Sequence, residues 1–305
     1  MIKVSIILVS YNTLNLTINT ITSIYEKTKD ITCEVIVVDN NSHDGTIDCV
    51  RMLFPDVICI ENEENFGFGY ANNIGAKIAK GEYIFLLNTD TILLNNAVKI
   101  LADYLDSNAE RNNLVAVCGN LYDVNGGPMT SYSRLFPSIA LELNTLAFNI
   151  LHHIKKCNFY FNFTDKPICF KGALSGADSM FVKKHFDEIN GFDQDYFLYY
   201  EETDLFYRLI KKGFNVASIP QAKIIHLEGG SEQAKDKTLE RSFTSKYIYL
   251  SKHCRGISSV IYHYIYKLTL LSRIAVFYCT GKHSKFKYWL MLMDAEKKAY
   301  LERNK

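Results

Sequence analysis

Val4-Ser-Ile-Ile-Leu-Val-Ser-Tyr-Asn12 and Glu34-Val-Ile-Val-Val-Asp-Asn-Asn-Ser-His-Asp-Gly-Thr46 each join an apolar run to a polar end. Short apolar runs closed by turn residues read as buried strands. Between them Leu14, Ile18, Ile21, Ile24 and Tyr25 recur at helical spacing. Outward from this pair the alternation continues. A helix spans roughly Thr46 to Phe54 and is stopped by Pro55, and Val57 to Ile60 forms a short strand. A helix over Ala71 to Lys80 is closed by Gly81, then come the strand Tyr83 to Leu87 and the helix Ala97 to Leu105. Strands alternating with helices predict an α/β fold, Rossmann-like, with a doubly wound and mostly parallel sheet. Ligands of such sheets sit beyond the carboxyl ends of the strands. Those ends are Ser10-Tyr11-Asn12, Asp39-Asn40-Asn41 and Asn88-Thr89-Asp90, all polar and able to share one crevice.

The 305 residues suffice for one large α/β domain and an appended segment. With 48% hydrophobic and 22% charged residues, the chain is an ordinary folded protein rather than a disordered one. Its net charge of +1 hides an asymmetry: residues 235–305 hold 15 Lys+Arg against 5 Asp+Glu, so the rest of the chain is acidic. A basic tail seeks an anionic partner. Eight scattered cysteines without a CxxC pair, and the lack of a signal-like N-terminus, predict a reducing, cytoplasmic setting.

Five segments carry candidate chemistry. Asp90, just past a strand, suits a hard divalent cation, and Asn88 points the same way on an extended segment; a plain turn is the alternative. Asp39 can accept a hydrogen bond from a pyrimidine imide, or act only as an Asx-turn residue. Asn65-Phe-Gly-Phe-Gly69, with Asn72, Asn73 and Gly75, is a glycine-rich entry to a helix that lets backbone N–H groups approach phosphate, without the dinucleotide spacing. Glu201, Glu202 and Asp204 open an amphipathic helix. A carboxylate among carboxylates has its pKa raised toward the range of a general base, though acids also favour a first helical turn on dipole grounds alone. His226 ends a strand before Gly229-Gly-Ser231 and faces either the core or the crevice.

In order and spacing, these motifs resemble glycosyltransferase family 2 of the GT-A fold, its rhamnosyltransferase-like members above all, over roughly residues 3–230. Ser10, Tyr11 and Asn12 match the family's strand end at the nucleotide. Val38 to Thr46 matches its Val-Asp-Asn-x-Ser-x-Asp-Gly-Thr motif, whose aspartate, here Asp39, contacts the base beside Asn41. Asn65, Gly67, Phe68, Asn73 and Gly75 match its Asn-x-Gly-Phe stretch. Leu87-Asn88-Thr89-Asp90 departs from Leu-Asn-Pro-Asp only at the proline. The resemblance implies Asp90 and His226 as ligands of Mg²⁺ or Mn²⁺, and Ser10, Tyr11, Asn12, Asp39, Asn41, Asn65, Gly67, Phe68, Asn73 and Asn88 as donor-binding. Gly191-Phe192-Asp193 and Phe197 to Leu205 match the segment holding the base, which here is Glu202 where the family has aspartate. Asp178, Asp193, Glu201 and Asp204 fall on the acceptor side.

The implied activity is inverting, metal-dependent transfer from a UDP- or dTDP-sugar (dTDP-rhamnose or a UDP-hexose) to a glycan or lipid-linked glycan. The rivals are a catalytically silent scaffold of a glycan-assembly complex and a sugar-1-phosphate nucleotidyltransferase; the glycine-rich, arginine-bearing loop of the latter is not found after the first strand. Residues 1–234 are expected to form the GT-A domain, with a donor half to about 115 and an acceptor half from 116, and 235–305 a basic helical segment. Val260 to Cys279 is long enough to span a bilayer, but Lys267 and Arg273 each cost about 2.5–3.5 kcal/mol at its centre. The segment therefore reads as an interfacial helix on the inner face of the plasma membrane, its cations snorkelling to head groups, or as a cap or homodimer interface. No nucleic-acid motif accompanies the basic tail.

Overall fold

A computed structural model describes residues 1–150, 163–227, 235–254 and 256–302. In chain order the elements are β1 (Val4–Ser10), α1 (Leu14–Lys27), β2 (Cys33–Asp39), α2 (Thr46–Leu53), β3 (Ile58–Glu61), α3 (Phe68–Ile78), β4 (Tyr83–Leu87), β5 (Thr91–Leu93) and α4 (Ala97–Asn112). There follow β6 (Leu114–Tyr122), β7 (Tyr132–Ser133), α5 (Ile139–Leu146), β8 (Ile168–Phe170), β9 (Ala173–Leu174), β10 (Asp178–Val182), α6 (Lys183–Glu188), α7 (Glu201–Lys211) and β11 (Asn215–His226). Three helices close the chain: α8 (Lys235–His253), α9 (Ile257–Cys279) and α10 (His283–Glu302).

The elements pack as two compact units. The first takes in the described residues of 1–134, 160–197 and 201–231. Its nine-stranded sheet runs β3-β2-β1-β4-β10-β6-β11-β5, with β8 also on β11. The first four strands in that order are parallel, as the alternation predicts. The sheet as a whole is mixed, because β10 enters antiparallel between β4 and β6. One face buries Ile6, Leu8, Val37, Phe85 and Met180 with Ile21 and Leu101 of the covering helices. On another part of the unit, Phe181 stacks on Phe206 and meets Phe186 edge-on. Gly75 lets α3 lie directly on β1 and β2: a Cβ there would stand 2.6 Å from the Ile7 side chain and 3.2 Å from that of Val38.

The second unit takes in the described residues of 135–159, 198–200 and 232–305. Here α5 packs with α9, and α8 with α10. Its interior sets polar groups among buried apolar ones such as Leu250, Leu270 and Ala299. The Tyr247 hydroxyl lies 2.8 Å from His263 Nδ1 and donates to Glu296, which is 3.0 Å from the same nitrogen. Tyr300 stacks on His263 with centroids 3.7 Å apart. Glu142 accepts hydrogen bonds from Tyr262 (3.0 Å) and Thr269 (3.1 Å). Lys246 is buried against the rings of Tyr266 and Tyr262, and burial lowers its pKa to about 8 against the pull of Glu142 and Glu296. Arg273 is only 7% exposed, donates to the carbonyls of Thr145 and Leu146, and lies over the Phe148 ring. This corrects the expectation that it snorkels: its charge closes the end of α5 instead. No described helix is long and apolar enough to cross a membrane.

Candidate active site

The loops after β1 and β2 are tied to one another. Asn12, in the left-handed region (φ 52°), donates its N–H to Ser42 Oγ (2.8 Å) and accepts from the His43 N–H (2.8 Å). Ser42 in turn donates its N–H and hydroxyl to the two oxygens of Asp39, at 2.7 and 2.6 Å. Asp39 is buried at the end of β2, and Tyr11 is exposed beside Ser10. Asn41 also takes a left-handed turn (φ 63°). Asp44 receives the first N–H of both flanking helices, from Leu14 (2.9 Å) and Thr46 (3.1 Å). Partial burial opposes its ionisation, yet the bonds from Thr46 and Leu14 hold its carboxyl below the usual range.

Asn40, which the sequence reading passed over, connects a third loop. Its N–H donates to the Ser10 carbonyl, its amide donates to the Gly67 carbonyl (3.2 Å), and it accepts from Asn62 (2.8 Å). Asn65 accepts the Gly67 N–H at 3.0 Å. Gly67 has φ 87°, and a Cβ on it would fall 2.1 Å from the Phe197 carbonyl oxygen, so no other residue fits. That carbonyl accepts the Phe68 N–H (3.1 Å), which starts α3 three residues earlier than the apolar spacing suggests. Asn73 does not face this loop. Both ends of its amide bind the Phe192 backbone (2.8 and 2.9 Å), so it holds the Gly191-Phe192-Asp193 turn.

Asp90 and His226 are brought together by β5, whose Thr91 pairs with His226 across the sheet. Asp90 Oδ1 lies 3.3 Å from His226 Nε2, and the Leu227 N–H donates to the Asp90 carbonyl at 2.8 Å. Two ligand atoms about 2.1 Å from one ion and at right angles are about 3 Å apart, so the pair fits two corners of a small divalent ion. No group of three His, Cys, Asp or Glu that could hold a metal occurs among the described residues. Glu228 to Ser231, the rest of the histidine motif, lies outside them. Beside the pair, the side-chain oxygen of Asn88 is buried without a partner. The loop is braced from behind by hydroxyls of α1: Thr20 Oγ1 lies 2.6 Å from the Thr89 carbonyl and 2.7 Å from that of Thr91, and Ser23 accepts the Leu93 N–H. Thr89, in place of the family proline, sets its own hydroxyl 3.4 Å from Thr13.

The acids opening α7 divide by partner. Glu201 is 3% exposed with one carboxyl oxygen unpaired; burial first, then the neighbouring Glu202, pushes its pKa well above the usual range. Glu202 is half-buried and burial raises its pKa too. Its carboxyl carbon and the Phe68 ring approach the same point above Gly176, 3.9 and 3.8 Å from where a Cβ would stand. The first residue of α3 and the candidate base therefore both border Gly176. Asp204 instead pairs with Arg208 Nε (2.7 Å), whose remaining nitrogens bind the carbonyls of Ile189 and Gly191 (3.0 and 2.7 Å). It anchors the turn before Asp193 rather than facing an acceptor. Asp193 accepts the Asp195 N–H at 3.0 Å. Asp178 is wholly enclosed between β4 and β6, where it accepts the Gly119 N–H (2.8 Å), and burial raises its pKa well above the usual range. That enclosure takes it away from the acceptor side expected of it.

Residues 5–169 match the family described as Glycosyl transferase family 2, and 167–229 match the N-terminal domain of galactosyltransferase. The chain is 28% identical over 205 residues to an uncharacterized glycosyltransferase of Rickettsia felis, covering 65% of this chain and 31% of the relative. It is 24% identical over 239 residues to the N-acetylglucosaminyl-diphospho-decaprenol L-rhamnosyltransferase of Mycobacterium tuberculosis, covering 73% of this chain and 76% of that one. The chain thus spans about a third of the length of the Rickettsia relatives it matches. Among solved structures it shares its fold with the mannosyltransferase PcManGT from Pyrobaculum calidifontis, in complex with GDP-Man and Mn²⁺. The TM-score is 0.60 at 16% identity, covering 98% of this chain and 86% of that one.

Proposed function

The chain belongs to glycosyl transferase family 2, and from that premise we propose that it moves one sugar, with inversion, from a UDP- or dTDP-sugar to a hydroxyl of a lipid-linked glycan. The observation that carries the reading is the meeting of Asp90 with His226, 3.3 Å apart at the mouth of the sheet. These two residues would hold Mg²⁺ or Mn²⁺, which when bound neutralises charge on a leaving diphosphate. Asp39, with Ser10 to Asn12 and Asn41, receives the base. Asn65, Gly67 and Phe68 shape the phosphate side, and Asn88 offers its unpaired oxygen to the donor. Glu202 removes the proton of the acceptor hydroxyl. That oxygen bonds to the anomeric carbon as the bond from this carbon to the diphosphate oxygen breaks on the opposite face, and the diphosphate leaves with the electron pair. One base and no protein nucleophile then suffice, which inverts the anomeric centre. Burial, by raising the pKa of Glu202, strengthens it as a base near neutral pH.

The rhamnosyltransferase relative supports an acceptor on a lipid diphosphate carrier and a rhamnosyl donor; we take the donor to be dTDP-rhamnose, with a UDP-hexose as the alternative. On that reading the chain works peripherally at the inner face of the plasma membrane. The test is release of nucleoside diphosphate from UDP-, dTDP- and GDP-sugars in Mn²⁺, Mg²⁺ or EDTA. Slow metal-dependent hydrolysis of one donor, lost in Asp90→Ala, is expected. Equal turnover in EDTA, or in the Asp90→Ala protein, would sink the assignment of the metal pair.

A further inference from the structure

Helix α9 turns polar side chains inward beside the buried Leu270, and apolar ones outward. Tyr262, His263, Thr269 and Arg273 point inward and are satisfied there by Glu142, Glu296, Tyr247 and the end of α5. Its outer face carries Val260, Ile261, Tyr264, Leu268, Leu271 and Tyr278, all between 40% and 71% exposed. Steps of three and four along a helix put such residues in one stripe, here about 27 Å long. Exposed apolar area costs about 25 cal/mol per Å², so folding by itself favours the reverse arrangement. In the same unit, Leu143 of α5 and the following Phe148 and Ile150 are about half exposed. A contiguous apolar face on this scale marks an interaction site.

Charge selects the occupant. From Ile257 to Met293 there is no aspartate or glutamate. Lys267 stands on the exposed face of α9, and Lys282, Lys285 and Lys287 are exposed at its C-terminal end. A second copy docked face to face would set lysines against lysines. An apolar stripe whose own segment, Ile257 to Met293, carries cations and no acids complements acyl chains and anionic head groups together. We propose that the exposed face of α9, with the lysines at its end, is the surface by which this chain lies on an anionic lipid bilayer. Docking serves the lipid-linked acceptor proposed above and in that sense rests on it, so its test contains neither donor nor acceptor.

The full chain is sedimented with vesicles of phosphatidylcholine alone or with about a third phosphatidylglycerol, at low and high salt. Binding to the anionic vesicles only, weakened by salt, is expected. Leu268→Glu/Leu271→Glu should weaken it about tenfold or more, and each of Lys282→Glu, Lys285→Glu and Lys287→Glu by about fivefold or more. All sites are on the surface, and unchanged thermal melting and donor turnover verify folding. Wild-type protein that stays in the supernatant overturns the proposal, whatever its turnover. So does equal binding by the Leu268→Glu/Leu271→Glu protein. A variant that turns a dimer into a monomer while vesicle binding stays absent assigns the face to a second copy and overturns it as well.

Discussion

The loops after β1 and β2 and the acids at the start of α7 treat buried carboxylates in opposite ways. Asp39 is buried with a hydrogen bond to each oxygen, and Asp44 collects N–H groups from two helices. Glu201 is buried with one oxygen unpaired, and Glu202 sits half-buried beside it. A buried polar group without a partner costs about 1–3 kcal/mol, more when charged. The first region is therefore pre-formed to receive a ligand, whereas the second holds a carboxyl at raised pKa, ready to take a proton. Rigidity and reactivity are assigned to different parts of the first unit.

The largest effect expected is at the base. Glu202→Gln should lower kcat about 10²- to 10⁴-fold while leaving donor affinity within about twofold. For the wild type, the rate should rise with pH through an acid limb above the ordinary glutamate range, since the base acts ionised and burial raises its pKa. Asp39→Ala should do the reverse, weakening donor binding about 10- to 100-fold with kcat nearly kept, as hydrogen bonds to a charged group are worth about 1.5–3 kcal/mol. Calorimetry with the nucleoside diphosphate and steady-state kinetics separate the two; a kcat loss in Asp39→Ala with unchanged binding would break the contrast.

Stability should show the same contrast. Burial raises the pKa of Glu201 in the folded state, so between the unfolded and the folded value the native protein holds the extra proton. Stability falls as pH rises through that window. Glu201→Gln removes this dependence, and by pH 8 the variant should be the more stable by about 1–3 kcal/mol. Parallel denaturation curves for the two proteins from pH 5 to 8 would show instead that Glu201 is not held protonated.

What the sequence makes legible follows from local pattern. Ser10, Asp39 and Asp90 each close an apolar run, and strand ends of a wound sheet converge whatever else the fold does. Partnerships across the sheet are not written locally. Nothing near Asn40 or Thr20 announces that they bind the carbonyls of Gly67 and of Thr89 and Thr91. Asp178 reads as an acceptor-side residue until β10 is inserted antiparallel between β4 and β6, and Arg273 as a cation snorkelling to head groups until α5 packs against it. The start of α3 moves to Phe68 because a distant carbonyl, that of Phe197, supplies its acceptor.

Thr20 allows the finest test, because it belongs to the satisfied region yet braces the reactive one. Its hydroxyl stands between the carbonyls on either side of Asp90 in the chain, so it fixes the direction of that carboxylate toward His226 without touching a ligand. Thr20→Val keeps the shape and removes the donor, freeing the loop to tilt. The concentration of Mn²⁺ giving half-maximal turnover should rise about three- to tenfold, as loss of a hydrogen bond worth about 1 kcal/mol implies. The rate at saturating Mn²⁺ should hold, and Thr20→Ser should restore the wild-type value. Electron paramagnetic resonance of free Mn²⁺, titrated with protein and nucleoside diphosphate, reads the same shift without turnover. A destabilised Thr20→Val protein with wild-type Mn²⁺ affinity would mean that the brace holds up the fold and not the metal loop.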